Sequence, residues 1–562
     1  MSLAVENPAR PAEKGQRPIR RRRRRTSLLA HGEPLVWLTG GALALCLAMI
    51  SGLLGLVVYQ GGRTFWSRPI VRVETLDGDV HLGQVTKRSQ TPGRDDGSVL
   101  PERRRLLRTE NFELTQTHYL WVSDSQVATE TRPEWAILAE RYDGGPFYGI
   151  PTGLFVDGER TASEPAEVWN LFGEYHPEVL ARLRERERLE TEPIGEINAR
   201  LEEARLQLRR AELDHGQGSP EWLTAERNHD LVVEQCDVDT SRVRTDISAL
   251  NEVNDKYQLE LTTGDGVPQR IPLAGIVRLV PANQLDFAGK LALYADRWGE
   301  FLTAEPRDSN TAGGVFPPIF GTVLMTLIMS FMVVPFGVLA ALYLREYAKQ
   351  GNMVSAVRIA VGNLAGVPSI VFGVFGLGFF CYLIGGSIDS VFFSESLPNP
   401  TFGKGGLLWA SLTLALLTLP VVIVATEEAL AAVPNSMREG SYACGATKWQ
   451  TVRRIVLPRA APGIMTGMIL AIARGAGEVA PLMLVGVVAV APELPSLLHP
   501  ERRFMHLGFH VYEVGFQSPN AEAARPLVFT TTLLLIAIVV GLNLAAIWIR
   551  ARLRRKFSTG IH

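Results

Sequence analysis

Six long apolar segments constrain the fold of this chain more than any other feature of its sequence. Each has roughly 20 or more mostly apolar residues, the length at which an α-helix crosses a bilayer core of about 30 Å. Because 46% of the 562 residues are hydrophobic and 20% are charged, apolar and polar residues are segregated into blocks. The sequence therefore predicts an all-α polytopic membrane protein with about six transmembrane helices, at 35–58, 318–344, 360–384, 407–433, 463–491 and 527–549.

Clusters of basic residues predict how these helices are oriented. Arginines at 20–25 precede the first segment, basic residues at 448–454 lie between the fourth and fifth, and others at 550–556 follow the last. Basic residues concentrate on the cytoplasmic side of membrane proteins, so we expect both termini there, as a disordered basic tail at 1–34 and a second tail at 551–562. An arginine run beside a membrane span favours this interpretation over a nucleic-acid-binding patch.

A long polar insertion, 60–314, separates the first helix (35–59) from the other five (315–550) and is expected outside the cytoplasm. Apolar and polar residues alternate at 70–76 and are followed by Asp77-Gly78, a pattern typical of a β-hairpin. Similar patterns occur at 112–120, 258–261 and 270–280. The two ends of the insertion therefore predict a β-rich base.

The middle of the insertion has a different, helical period. Apolar residues recur three and four positions apart at 194–211 and again at 236–257, as in helices that pack along a heptad seam. Between these runs, Ser219 and Pro220 have the residue types of an N-cap and a first helical position. We expect an antiparallel coiled-coil hairpin at about 176–257. Its many charges are explained by a solvated outer face around an apolar seam or by contact with a partner subunit's insertion or a binding protein, and the residues do not select between the two partners.

A polar, glycine-containing loop at 435–460 joins the fourth and fifth apolar segments. In it an acidic residue and two small residues are followed by a glycine and then by Ile-x-Leu-Pro. This spacing resembles the EAA loop of ABC-importer permeases, with Gly440 and Ser441 where that family usually has alanine. The resemblance implies coupling to a separate ATPase through Glu439, Gly440, Ser441, Gly445, Trp449, Ile455, Leu457 and Pro458.

The same loop has the composition of a docking element. Its small side chains permit close approach of a partner, and tryptophan is a residue type enriched at interface hot spots. We expect one helix from Ser441 to Trp449, ended by Pro458 before the next span. The alternative is an ordinary amphipathic helix lying at the membrane surface.

No nucleotide-binding loop is present in the sequence. The glycine-rich stretch 403–406 lacks the upstream glycine and the Ser or Thr after the lysine that a P-loop needs. We therefore expect a transport subunit that is not an enzyme and binds no cofactor itself, with ATP and Mg²⁺ bound by a partner ATPase.

Arg474 and Glu478 form a charged pair within the fifth apolar segment. A charge inside a membrane is costly and usually faces another charge or an interior pathway, and residues four apart share one helix face. The pair is therefore either a local ion pair that permits insertion or part of the substrate pathway. We favour the pathway, because Gly475, Gly477 and Pro481 loosen the helix there and a guanidinium can donate two hydrogen bonds to an oxyanion.

Motifs along the second half of the chain narrow the resemblance to one family. They lie at 313–317, 335–337, 343–347, 364–373, 426–434 and 473–482. Together they resemble the PstA-type permeases of phosphate-specific ABC importers over about 311–549. The resemblance implies a type I importer fold in the bacterial inner membrane, with Arg474 and Glu478 as the family's membrane arginine and glutamate.

The resemblance also implies partners and a function. The partners are a second, homologous permease, two ATPase subunits, a periplasmic phosphate-binding protein and the lipid bilayer, with no nucleic acid. The function is ATP-driven import of inorganic phosphate. Two alternatives stay open: a permease for phosphonate, molybdate or sulfate, and a membrane receptor or scaffold that uses the insertion as a sensor.

Overall fold

Six helices in the described part of the chain are long and apolar enough to cross a membrane. The computed structural model describes residues 33–90, 102–109, 117–491, 493–518 and 521–558. Residues 1–32 of the predicted disordered tail and most of the predicted strand at 112–120 therefore lie outside the described residues, while 33 and 34 belong to the first helix. The chain forms two compact units, Met1–Leu56 and Val57–His562. The predicted number of spans is confirmed, at Trp37–Arg63, Phe316–Tyr347, Ser369–Phe392, Leu407–Ala431, Lys448–Gly475 and Ala524–Arg552.

Four of these spans lie within five residues of their predicted bounds, and two are shifted by eight or more residues at both ends. The third begins at Ser369 because Pro368 disfavours helix in the residue before it, which leaves Asn352–Leu364 as a separate helix. The fifth covers Lys448–Gly475. The predicted fifth span, 463–491, is therefore wrong at both ends, since the helix starts in the polar loop and stops at Gly475.

The helices of the chain are numbered here in order. Their bounds are α1 Glu33–Arg63, α2 Pro165–His215, α3 Pro220–Asp255, α4 Phe287–Thr303, α5 Phe316–Leu342, α6 Asn352–Leu364, α7 Ser369–Phe375, α8 Gly386–Phe392, α9 Leu407–Ala431, α10 Asn435–Ala443, α11 Lys448–Thr451, α12 Leu457–Gly475, α13 Ala480–Val485, α14 Leu507–Tyr512 and α15 Ala521–Ser558. Four of them, α5, α7, α11 and α14, continue as wider π-helical turns.

The fourth span, α9, is the centre of the membrane bundle. In its most apolar stretch, 67% of the residues are buried, compared with 6% in the most apolar stretch of the sixth span. Met325 and Met329 of α5, Leu414 of α9, Ala471 of α12 and Leu482 of α13 share one buried apolar cluster. The remaining faces stay apolar and exposed, as helices that contact lipid require.

Besides a two-stranded sheet of Pro306–Arg307 and Ala312–Gly313, the insertion is built on two large antiparallel sheets. Their strands are β1 Ile70–Thr75, β2 Val80–Gln90, β3 Arg103–Arg108, β4 Tyr119–Ser123, β5 Val127–Thr131, β6 Ile137–Arg141, β7 Phe147–Val156, β8 Glu159–Ala162, β9 Tyr257–Thr262, β10 Pro268–Pro272 and β11 Ile276–Val280. The first sheet has the order β4-β3-β2-β1-β5, and the second has β10-β9-β7-β6-β11 with β8 beside β7. The β-rich base is confirmed, although the run predicted at 270–280 is two strands separated by a 3₁₀ turn.

Helices α2 and α3 form the antiparallel hairpin that the heptad pattern predicts. The backbone N–H of Trp222 donates to Ser219 Oγ at 3.1 Å, so Ser219 is the N-cap. The inner seam buries Ile197 and Cys236. Helix α2 begins at Pro165, earlier than the predicted hairpin, because side chains such as Phe172 complete the apolar core of the second sheet.

Candidate functional site

The loop between the fourth and fifth spans is a helix, a turn and a second helix. Helix α10 ends at Ala443, and Gly445 has φ +79°, a left-handed conformation that favours glycine. Thr447 then caps α11 through a reciprocal capping box with Gln450. The predicted single helix from Ser441 to Trp449 is therefore wrong, because the left-handed residue and the new N-cap interrupt it.

The predicted coupling residues separate into two groups by exposure. Glu439, Gly440, Gly445 and Trp449 are exposed, with 54% of Trp449 accessible. The others, Ser441, Ile455, Leu457 and Pro458, are partly buried. Ser441 and Thr451 join α10 to α11 through a 2.8 Å hydroxyl contact. One face of the loop is thus open to a partner while the other is fixed to the bundle.

Arg438 fixes this loop to the end of the second span, and sequence reasoning missed it. Its Nη2 lies 3.0 Å from Glu346 Oε1, with the two side chains 12% and 9% exposed. The guanidinium also donates to the carbonyl oxygens of Leu430 and Val433, at 2.8 and 2.6 Å. The ion pair joins residues 92 positions apart, so no local pattern reveals it.

We expect Arg438→Gln to destabilise the folded protein. Removing one partner of a buried ion pair leaves the other charge uncompensated, at a cost of about 3 kcal/mol or more. Thermal unfolding of the purified chain in detergent would show a lower midpoint. Arg453→Gln, which removes an exposed arginine from the same loop, is the control, and equal midpoints for the two variants would contradict the anchoring role.

Arg474 and Glu478 lie where the fifth span ends. Helix α12 stops at Gly475, and the chain re-enters helix at Ala480. Arg474 Nε and Glu478 Oε1 are 3.7 Å apart, and the side chains are 35% and 22% exposed. The pair therefore sits at an interruption between two helices, not inside a continuous one, and Arg474 is in a last turn, where the helix dipole favours a cation.

The guanidinium of Arg474 retains hydrogen-bonding capacity. Its Nε is buried and has no hydrogen-bond partner among the described residues. Close packing of helices holds the position, since a Cβ on Gly475 would lie 2.4 Å from Met329 Sδ of α5. An anion would reach this arginine through the exposed part of its side chain, because the Nε itself is buried beside Glu478.

The hairpin of the insertion contacts the membrane core at a loop between the third and fourth spans. Arg210 Nη2 near the tip of α2 donates to Glu395 Oε1 at 2.5 Å, and Glu395 is 12% exposed at its side chain. This hydrogen bond lowers the pKa of Glu395 from its ordinary value. The hairpin is thus fastened to its own chain, a contact that the sequence did not indicate.

The hairpin contact should open at acidic pH. A carboxyl with a lowered pKa contributes stability at neutral pH, and that stability is lost as pH falls through the lowered pKa. Spin labels at Gln217 and Asn399 would report a broader distance distribution as the pH falls below the ordinary pKa of a glutamate and through the lowered pKa of Glu395. Arg210→Ala should show the same broadening at neutral pH. Arg209→Ala removes an arginine that pairs with Glu212 within α2 and should leave the distribution narrow. The same broadening in both variants would contradict the assigned contact.

Metal binding has no candidate site in the described residues, where no three His, Cys, Asp or Glu side chains are grouped suitably. The fold and the loop define the class, a multi-pass helical membrane protein. The exposed loop lies at one end of α12, and the pair of Arg474 and Glu478 lies at its other end.

Comparison with known proteins identifies the family. Residues 311–559 match the family model of the binding-protein-dependent transport system inner membrane component. The phosphate transport system permease protein PstA 1 of Mycobacterium tuberculosis (strain CDC 1551 / Oshkosh) is 36% identical over 281 residues, which cover 50% of this chain and 83% of that protein. The chain belongs to this family of transport-system membrane components, so it is a transport subunit and not an enzyme.

Two further similarities cover shorter parts of the chain. The probable ABC transporter permease protein YqgH of Bacillus subtilis (strain 168) is 35% identical over 200 residues, 35% of this chain and 61% of that protein. A solved chain of the MetNI methionine ABC transporter in an inward-facing conformation is 22% identical, covers 42% of this chain and 94% of its own, and has a TM-score of 0.32. The relative named PstA 1 confirms the predicted resemblance to PstA-type permeases. The insertion lies almost wholly before residues 311–559, which match the family model.

Proposed function

We propose that this chain is the permease subunit of an ATP-driven importer that moves inorganic phosphate across the bacterial inner membrane. The observation that carries the proposal is 36% identity across 83% of a relative named as a phosphate transport permease. Arg474 supports it, because its side chain is 35% exposed at the interruption between two helices and a guanidinium recognises phosphate oxygens with directed hydrogen bonds.

The proposed complex contains four kinds of component. A second, homologous permease completes the pathway, two ATPase subunits bind ATP and Mg²⁺, and a periplasmic phosphate-binding protein delivers the substrate. The exposed face at Gly440, Gly445 and Trp449 is where an ATPase would contact this chain. A tryptophan that is half exposed in the isolated subunit is a suitable anchor for such an interface.

Helix α12 is the proposed mechanical link between the two candidate sites. It runs without interruption from Leu457, beside the exposed loop, to Gly475, beside Arg474. At 1.5 Å per residue it spans roughly 28 Å, close to the thickness of a bilayer core. A displacement of the loop by ATPase closure would therefore move the charged pair at the other end.

The proposed orientation is supported by the basic residues near the spans. Arg453, Arg454 and Arg552 are exposed, and such residues favour the cytoplasmic side. In the proposed orientation the insertion is periplasmic. Cys444 in the loop is exposed, whereas Cys236 and Cys381 are buried. A membrane-impermeant maleimide should label Cys444 only after the inner membrane is opened; labelling of intact spheroplasts at this cysteine would reverse the orientation.

Radiolabelled phosphate uptake tests the function. The whole complex is expressed in cells without their own phosphate importers, and unlabelled phosphate, phosphonate, molybdate or sulfate is added in excess. We expect phosphate to suppress uptake fully. If phosphonate, molybdate or sulfate suppresses the uptake of labelled phosphate more strongly than phosphate does, that oxyanion is the substrate. If the assembled complex shows no ATP-dependent uptake of phosphate or of these three anions, each supplied in labelled form, the receptor or scaffold alternative is favoured.

A further inference from the structure

An open basic cavity lies where the first span ends and the insertion begins. Its volume is about 240 Å³, and it lies between the end of α1, the connection to β1, and β2. The cavity is lined by Arg63, Trp66, Arg68, Val85, Thr86, Lys87 and Arg88. Four of these seven residues are cations, and none of them is a carboxylate.

Arg68 is fixed at the base of the cavity. Its Nη1 donates to the carbonyl oxygens of Thr86, at 2.9 Å, and Val85, at 3.3 Å. Burial, and then the nearby positive charges of Arg63 and Arg108, lower the pKa of Arg68. The surroundings of this guanidinium are therefore short of negative charge.

Lys87 and Arg88 extend from β2 at the mouth of the cavity. Both are exposed, and no described residue forms an ion pair with either of them. Like charges held close together without counter-charges cost free energy. A bound anion would remove that cost.

The surroundings of the cavity place it at the depth of lipid headgroups. Arg63 is the last residue of the first span. Trp66 packs against Phe287 and Tyr294 of α4, with ring centroids 6.0 and 5.7 Å apart. Phe287 is nonetheless 72% exposed, and Leu291 on the same helix is 50% exposed. Aromatic side chains beside a span end are characteristic of the membrane interface, where exposed apolar side chains contact acyl chains.

We propose that this cavity binds a phosphoryl group at the membrane surface, either the phosphodiester of an anionic lipid headgroup or free phosphate. Arg63 and Arg68 supply planar guanidinium donors suited to phosphate oxygens, and Lys87 and Arg88 supply further positive charge at the mouth. The site is formed by the insertion and the end of the first span, so it is distinct from the proposed pathway at Arg474. The exposed apolar side chains of α4 favour the lipid as its occupant.

The test uses the complete chain in nanodiscs and two labelled probes. In one arm the nanodiscs contain phosphatidylcholine with a small fraction of radiolabelled phosphatidylglycerol, and the label retained after detergent exchange is counted. In the other arm they contain only phosphatidylcholine, and binding of radiolabelled inorganic phosphate is measured by equilibrium dialysis. The variant Lys87→Gln/Arg88→Gln is made in a chain that already carries Arg474→Gln. It is compared with Arg474→Gln alone, so that phosphate bound at the pathway does not contribute to the difference.

We expect the double variant to bind its probe roughly tenfold or more weakly, since each basic residue near an anionic surface contributes about a fivefold preference. Loss in the lipid arm assigns a headgroup site, and loss in the phosphate arm assigns a free-anion site. The control is Arg242→Gln/Arg244→Gln, which removes the same charge from exposed positions on α3. Equal loss in the control, or no binding of either probe by the unaltered chain, overturns the proposal; unchanged far-ultraviolet circular dichroism shows that the variants are folded.

Discussion

Replacing Gly445 with valine should reduce ATP-dependent uptake by at least tenfold while the chain still inserts into the membrane. Gly445 adopts φ +79° in the turn between α10 and α11, and a β-branched residue there costs about 1–3 kcal/mol of backbone strain. No atom lies within 4 Å of where its Cβ would be, so strain and not a clash within this chain is the cause. Relief of the strain would re-aim α11 and Trp449 away from a docked ATPase.

Gly362→Ala is the matched control for this change. Gly362 lies inside α6 with ordinary helical backbone, and its Cβ position is also empty. Alanine there should stabilise the helix by about 1 kcal/mol and leave uptake intact. Uptake and co-purification of the ATPase are measured at equal membrane levels of both variants, and normal uptake by Gly445→Val would refute the coupling role of this turn.

The second large effect is expected at Arg474. Arg474→Gln should lower uptake roughly a hundredfold, because hydrogen bonds to a charged group contribute about 1.5–3 kcal/mol each and the variant removes the charge along with them. Arg474→Lys keeps the charge without the planar donor and should recover only part of the activity. Arg459→Gln, an exposed arginine near the other end of α12, should transport normally.

A double variant separates the two interpretations of the charged pair. If Arg474 and Glu478 serve only to neutralise each other, Arg474→Gln/Glu478→Gln removes both charges and uptake should return to normal. If Arg474 binds the substrate, the double variant stays inactive. Recovery of uptake would therefore disprove the pathway role while leaving the proposed transport function in place.

The sequence was informative wherever a pattern is local. Periods of three and four residues predicted the α2–α3 hairpin, and Ser219 and Pro220 were correctly assigned to the start of α3. The alternation at 70–76 predicted β1 and its turn. Capping and glycine conformation are also local, yet the turn at Gly445 was missed, because the pattern of small residues there favoured an unbroken helix over the N-cap at Thr447.

The candidate sites themselves were only partly accessible from the sequence. Arg474 and Glu478 were recognised because charges are conspicuous in an apolar segment. The sequence did not reveal that the two residues lie at a helix end. Hydropathy does not show where Gly475 and Gly477 stop a helix within a long apolar run. Arg438 was overlooked, because an arginine in a polar loop has no distinguishing neighbour in the sequence.

The sequence alone determined the number of spans, the class of the insertion and the family, because the cost of burying charge in lipid and the periods of helices and strands act over short stretches of chain. Tertiary structure decided which distant groups meet: Arg438 with Glu346, Arg210 with Glu395, and the four cations around the cavity at the end of α1. Such contacts depend on how the separate helices and sheets pack. An ion pair across 92 or 185 positions has no period to mark it, and only the folded chain brings its two charges together.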